Sequence, residues 1–296
     1  MYKLLDNFVF YCKQLKINNN LYSYYNSFIQ KKDSSFNERI KLKEEDKILS
    51  SLEEYNNVDI KEVCFDGLKV KDNNSQQGMS HDVAKVFSQL GGSVVDVTKC
   101  VDNLNNLNDL YIAINAFNAC ELKKIANKTV IYDGNSKAKV MLIGEAPGYQ
   151  EDLRGIPFCG ESGALLDEMF RSIDLNRMQD IYITNTIFWR PPANRVPSEE
   201  EINLCRPFVE KHISLINPHV LILVGATAIR SVLQDSSPIS FVRGKFRKYQ
   251  NRYLRYPINV TAIYHPSYLL RQGIKKKLAW LDLLEIKNFL SNSNLY

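Results

Sequence analysis

The sequence predicts an α/β protein, a three-layer sandwich in which a four-stranded parallel sheet is flanked by helices. After Lys128, short apolar runs of strand length alternate with segments whose apolar residues recur at helical spacing. A parallel sheet requires that order, because each return crossover is normally a helix. The chain is also 45% hydrophobic over 296 residues, enough for one generous core plus an appendage.

Residues 1–30 read as a helix-rich element. MYKLLDNFVFYCKQLK is apolar at helical spacing, carries charges throughout and lacks a small-residue cleavage site, so a folded amphipathic helix is expected rather than a signal peptide. Residues 31–80 are polar and charged with scattered apolar positions, as in a linker or a loosely ordered segment. The main domain is expected over 81–296. Helical spacing in HDVAKVFSQL and LNDLYIAINAF leads into KVMLIGE (139–145), a buried strand ending in a glycine turn. SGALLDEMFRSI (162–173) is the next helix and DIYITNT (180–186) the second strand. Ser198 with Glu201 forms a capping box opening a helix whose apolar stripe is Ile202, Cys205, Val209, Ile213 and Ile216. HVLILVG is a third strand, ATAIRSVL a helix, INVTAIYHP a fourth strand and IKKKLAWLDLLEIKNFL a closing helix.

No run approaches the roughly 18–20 apolar residues of a membrane span, so none is expected. Six cysteines lie far apart without a secretion signal, which points to reduced thiols and a cytoplasmic protein; a monomer is expected. Of 38 basic and 33 acidic residues, the first hundred positions hold 14 of each, so the excess of 24 over 19 lies entirely in the remainder. Between Arg230 and Lys277, eleven basic residues face one acid, Asp235. Such a stretch suits phosphate neutralisation and nucleic-acid binding, or is simply a solvated basic face.

Ligands of open parallel sheets sit beyond the carboxyl ends of the strands. The first such loop, GEAPGYQEDLRGIPFCGESG (144–163), is glycine-rich but carries neither a dinucleotide fingerprint nor a Walker A sequence. In it Gly144, Ala146, Pro147 and Gly148 let backbone approach a ligand, and Glu145 and Glu151 are expected to face the crevice. Glu145, at the strand end, is placed to hold a water or offset a developing cation; its alternative is a carboxylate bonded to loop amides. Phe158 is large for such a loop and suits stacking on a planar base, or else belongs to the core. Asn185 offers the donor and acceptor that match a pyrimidine edge, although a lone Asn also caps and turns. His265, held by Pro266, is a hydrogen-bond donor or general acid over the crevice. Ser267 is expected to contact phosphate, and Leu269 or Leu270 to wedge into the space left by an extruded base.

Taken together, GEAPG followed by Glu151 and Asp152, then GxPFxGxSG (155–163), Asn185, RPPxNR (190–195) and HPSYLLR (265–271) occur in one order at suitable intervals. From about Leu107 onward the chain resembles the family 4 uracil-DNA glycosylases of bacteria and archaea. The resemblance implies a uracil-DNA glycosylase-like fold and hydrolysis of the N-glycosidic bond of uracil in DNA. It implies Glu145 as the catalytic acid position, Phe158 as the ring stacking on uracil and Asn185 as the reader of its edge. His265 is the implied donor to uracil O2, Glu151 a residue rejecting larger bases, and Arg195 and Arg271 part of the DNA-facing loops. Members of the family hold a [4Fe-4S] cluster on four cysteines. Here Cys120 and Cys205 occupy two of those positions, and Phe117 and Trp189 stand at the others. Two thiolates cannot hold a cluster that needs about four, so no cofactor and no metal are expected. An alternative is a DNA-binding accessory module related to the N-terminal part of bacteriophage-type DNA polymerases. A small-molecule hydrolase or nucleotide binder is disfavoured by the missing phosphate fingerprints.

Overall fold

The computed structural model describes residues 77–293. The expected N-terminal helix and nearly all of the polar segment after it lie outside the described residues. The first helices are α1 (Gln77–Gln89), α2 (Val94–Asp102), α3 (Leu107–Ala116) and α4 (Glu121–Ile125). They bury Phe87, Val97, Val101, Leu110 and Ile114 against the rest of the core.

The chain then alternates as expected: β1 (Tyr132–Gly134), β2 (Val140–Gly144), α5 (Tyr149–Arg154), α6 (Glu161–Arg171), α7 (Arg177–Asp180) and β3 (Ile181–Asn185). Next come a 3-10 turn at Pro192–Asn194, α8 (Glu199–Ile216), β4 (Val220–Val224), α9 (Ala226–Leu233) and α10 (Ile239–Val242). The remainder is β5 (Arg247–Tyr249), β6 (Ile258–Ile263), α11 (Pro266–Arg271), a 3-10 turn at Gly273–Lys275 and α12 (Lys276–Asn292). Ser198 caps α8 as the capping box predicts: its hydroxyl accepts from the Glu201 amide at 3.2 Å, and the Glu201 carboxylate accepts from the Ser198 amide at 2.8 Å. The whole expected stripe of α8 is buried.

The sheet runs β1-β3-β2-β4-β6-β5, six strands rather than the four expected. Its centre is the predicted parallel set, with β3, β4 and β6 registered side by side around β2. The two additional strands are three-residue edges, β1 antiparallel to β3 and β5 antiparallel to β6. Each carries charge (Asp133; Arg247 and Lys248), which keeps an edge from pairing with another chain and also erases the apolar signal that marks a strand. Strands β2, β3 and β4 are buried at every position, since helices cover both faces.

The chain goes from β2 to β3 on one side and then to β4 on the other. The order therefore reverses at β2, and the crevice for a ligand opens beyond Gly144 and Val224. Among the described residues no helix is long and apolar enough to cross a membrane.

Candidate active site

Register sets the first contact. Gly144 and Asn185 are paired at the carboxyl ends of β2 and β3. A Cβ on Gly144 would lie 2.5 Å from Asn185 Oδ1 and 2.5 Å from Phe158 Cζ, so amide and ring both press against this glycine. The Phe158 ring in turn lies 5.6 Å, centroid to centroid, from the His265 imidazole, inclined at 31°. Glu145, next in sequence to Gly144, is half-buried and accepts a hydrogen bond from the Thr227 hydroxyl in the first turn of α9, across the switch point. The aromatic, amide and imidazole predicted from sequence thus gather at the carboxyl ends of the central strands, with the acid next in sequence to Gly144.

Three of these groups have unused polar capacity. Asn185 is only 2% exposed, yet its side-chain amide has no hydrogen-bond partner among the described residues. An amide left free at the end of β3 offers both a donor and an acceptor to a ligand edge. His265 Nδ1 accepts from the Ser267 amide at 3.2 Å and sits 2.8 Å from the Ser267 hydroxyl. Burial, reinforced by the Arg271 charge, pushes the His265 pKa down to about 4. The ring is therefore neutral at physiological pH, and because Nδ1 is an acceptor its proton resides on Nε2, which faces no protein partner among the described residues. Gly225, at φ +99°, allows this placement, as a Cβ there would approach His265 Cβ to 3.1 Å. The second oxygen of Glu145 is likewise unengaged among the described residues.

The loop that carries Phe158 is held from several directions. Glu151 Oε1 accepts from the Cys159 and Gly160 amides, each at 2.9 Å, and Oε2 from the Gly148 amide at 3.1 Å. Phe158 itself adopts φ +51°, a left-handed conformation costing a non-glycine residue about 1 kcal/mol. Gly163 makes room for it, since a Cβ there would lie 1.7 Å from the Phe158 carbonyl oxygen.

Several expectations need correction. Glu151 does not present its carboxylate to a ligand; both oxygens are occupied by loop amides, the arrangement considered above for Glu145. Ser267 turns its hydroxyl inward to orient His265 rather than outward to phosphate. Leu269 is 0% exposed and packs in the core, so it is not the wedge expected from sequence, whereas Leu270 is 37% exposed. Arg195 is held in a two-pronged pair with Glu201 at 2.6 and 2.9 Å. Arg271 is exposed. The basic run is partly neutralised: Arg230, Arg243, Arg247 and Arg252 pair with Glu199, Asp282, Asp235 and Asp102. Ala146 and Gly148 are half-buried and Pro147 is buried, consistent with backbone lining the crevice. Sequence reasoning missed Thr227 and Arg177. Thr227 stands two residues past a strand-ending glycine, a position that deserved the same scrutiny as Asn185; Arg177 has no local signal at all.

A second group of residues bears on the expected cofactor. Cys120 and Cys205 are buried free thiols within hydrogen-bonding reach of each other. Phe117 (0% exposed) and Trp189 (1%) pack beside them with ring centroids 6.3 Å apart, and the Trp189 indole donates to the Thr129 hydroxyl at 3.1 Å. Two thiols and two aromatic rings do not make a four-thiolate donor set, and the rings occupy space rather than offer ligands. Among the described residues no group of three or more His, Cys, Asp or Glu is arranged to hold a metal ion.

The family model described as "Uracil DNA glycosylase superfamily" matches residues 131–284. The chain is 36% identical to a type-4 uracil-DNA glycosylase of Saccharolobus solfataricus, over 65% of this chain and 88% of that one. It is 37% identical to the type-4 uracil-DNA glycosylase of Archaeoglobus fulgidus, over 56% of this chain and 84% of the other. A DNA polymerase of Bacillus phage SP01 is 26% identical over 51% of this chain, which corresponds to 16% of the polymerase.

Proposed function

The chain belongs to the uracil DNA glycosylase superfamily, and we propose that it removes uracil from DNA by hydrolysing the N-glycosidic bond, leaving an abasic site. The observation that carries this reading is the convergence of Phe158, Asn185 and His265 on the Gly144 strand end, with Glu145 beside them.

A uracil extruded from the helix stacks on Phe158 and offers its edge to the unpaired amide of Asn185. As the C1′–N1 bond breaks, its electron pair goes to the base and negative charge grows on O2, while positive charge grows at C1′. The Nε2–H of neutral His265 is the donor for O2. Because the imidazole carries no charge, it does not repel the sugar cation. Glu145, fixed by Thr227, keeps one oxygen for the nucleophilic water or for the cation itself. Water adds its hydroxyl to C1′, and the departing base takes up a proton. The donor to O2 is worth on the order of 3 kcal/mol of barrier. Leu270 fills the gap left in the duplex, and Arg271, with exposed basic residues of the same stretch such as Lys245, holds phosphates.

The reading includes a protein that works as a monomer in the cytoplasm on uracil-containing DNA without a [4Fe-4S] cluster. Four free cysteines among the described residues support a reducing compartment, and the aromatic filling by Phe117 and Trp189 supports the missing cluster. Absorbance near 400 nm with about four irons per chain would overturn the latter point.

The deciding experiment incubates the protein with a uracil-containing oligonucleotide and then cleaves abasic sites with alkali. Cleavage at the uracil position is expected. The polymerase similarity favours one other reading, a DNA-binding module without the reaction; an uncut strand with intact binding would support it instead.

A further inference from the structure

We propose that Arg177 is a positioning residue that sets the Phe158 ring against the extruded base; this rests on the reading of Phe158 given above. Arg177 opens α7, just before β3, and its side chain is only 13% exposed. Its guanidinium spends donors on two kinds of acceptor. One set is the backbone entering the left-handed turn: Nη1 donates to the Phe158 carbonyl at 2.9 Å and Nη2 to the Pro157 carbonyl. The other set is a pair of carboxylates, with Nε to Asp133 on edge strand β1 at 2.7 Å and Nη1 to Asp167 on α6 at 3.1 Å.

This geometry is specific to the ring. The Phe158 carbonyl oxygen that Arg177 holds is the same atom that would collide with a Cβ at Gly163. That oxygen is thus fixed from one side by a donor and from the other by the missing side chain. Since Phe158 lies at φ +51°, where an ordinary side chain resides only under constraint, releasing the oxygen lets the residue relax and carries the ring away from Gly144 and His265. The anchors make the clamp stiff. Asp133 and Asp167 come from a strand and a helix, so the guanidinium is referenced to the scaffold rather than to the loop. Lysine carries a single ammonium on a flexible stem and cannot satisfy two carbonyls and two carboxylates with one planar fork. The clamp also gives the short β1 edge a purpose: it delivers Asp133.

The test measures single-turnover excision from uracil-containing DNA, DNA affinity and melting temperature for F158A, R177K, the double variant and D133N. R177K is expected to slow excision by about 10- to 100-fold, the usual cost of displacing a positioned group by roughly 1 Å, with DNA affinity nearly unchanged. The double variant should be no slower than F158A alone, because a clamp has no effect once the ring is gone. D133N keeps both carbonyl contacts and should fold, giving a smaller loss of rate in the same direction. If F158A is slow while R177K and D133N melt lower but excise uracil at the parental rate well below their melting temperatures, or if the R177K and F158A losses multiply, the clamp is refuted and the reading of Phe158 stands. If F158A itself excises uracil at the parental rate, that reading falls, and the clamp with it.

Discussion

Replacing Gly144 by alanine adds one methyl group at the point where the site converges. Its backbone lies in a strand, so alanine suffers no conformational penalty there, and the effect is purely one of space. The new Cβ would stand 2.5 Å from Phe158 Cζ, 2.6 Å from Cε2 and 2.5 Å from Asn185 Oδ1. Ordinary carbon contacts lie near 3.5 Å, so ring, amide or both must retreat by about 1 Å. A displacement of that size in a reacting assembly costs about 100-fold in rate, or about 2.7 kcal/mol of barrier. Overpacking a core position also destabilises by about 1–3 kcal/mol, so melting must be recorded alongside single-turnover excision, at a temperature where the variant is fully folded. Gly91→Ala is the control, since its Cβ meets nothing within 4 Å and both readouts should stay at parental values. A folded Gly144→Ala variant that excises uracil within about twofold of the parent would refute the idea that Phe158 and Asn185 act together over this glycine.

Three other outcomes are expected. His265→Ala, which removes the donor to O2, should lower the single-turnover rate by about 100- to 1,000-fold with little change in DNA affinity, as gel-shift titration will show. His212 is fully buried in α8 beside the Tyr182 hydroxyl, and burial pushes its pKa down to about 3. The unfolded chain, with this group near 6.5, takes up a proton that the fold refuses, so the contribution is a loss of stability as pH falls below about 6.5. Denaturant titrations at about pH 7.5 and pH 5 should therefore show a larger loss for the parent than for His212→Gln. Leu269→Ala should destabilise by about 2–5 kcal/mol in the same titration, whereas Leu270→Ala should leave stability intact and slow excision from duplex more than from single-stranded substrate.

The central architecture was legible because each of its signals is local. The four parallel strands are apolar runs bounded by turns, and the Ser198 box names its own helix start. Glu145, Asn185 and His265 stand at or just past strand ends, where the fold class alone says to look. What escaped depends on partners distant in the chain. The edge strands β1 and β5 are three residues long and charged, so only their neighbours make them strands. Whether Leu269 or Leu270 faces out turns on the rotation of one helical residue. Glu145 and Glu151 are carboxylates in the same glycine-rich loop, and only the path of that loop assigns one to the crevice and the other to the amides. Arg177 acquires its role from Asp133, 44 positions earlier in the chain, and from carbonyls about 20 positions earlier.

The hydrogen bond from Thr227 to Glu145 joins residues 82 positions apart, and His265 arrives from a further strand still. During synthesis, the loop bearing the acid and the ring emerges long before the imidazole. A chain that ends before that strand is therefore expected to lack efficient uracil excision, with activity gained only after the last central strand docks. Because such long-range pairing is slow, excision is a late reporter of folding, and variants that delay sheet closure will lag in gaining activity even when their final rates match the parent.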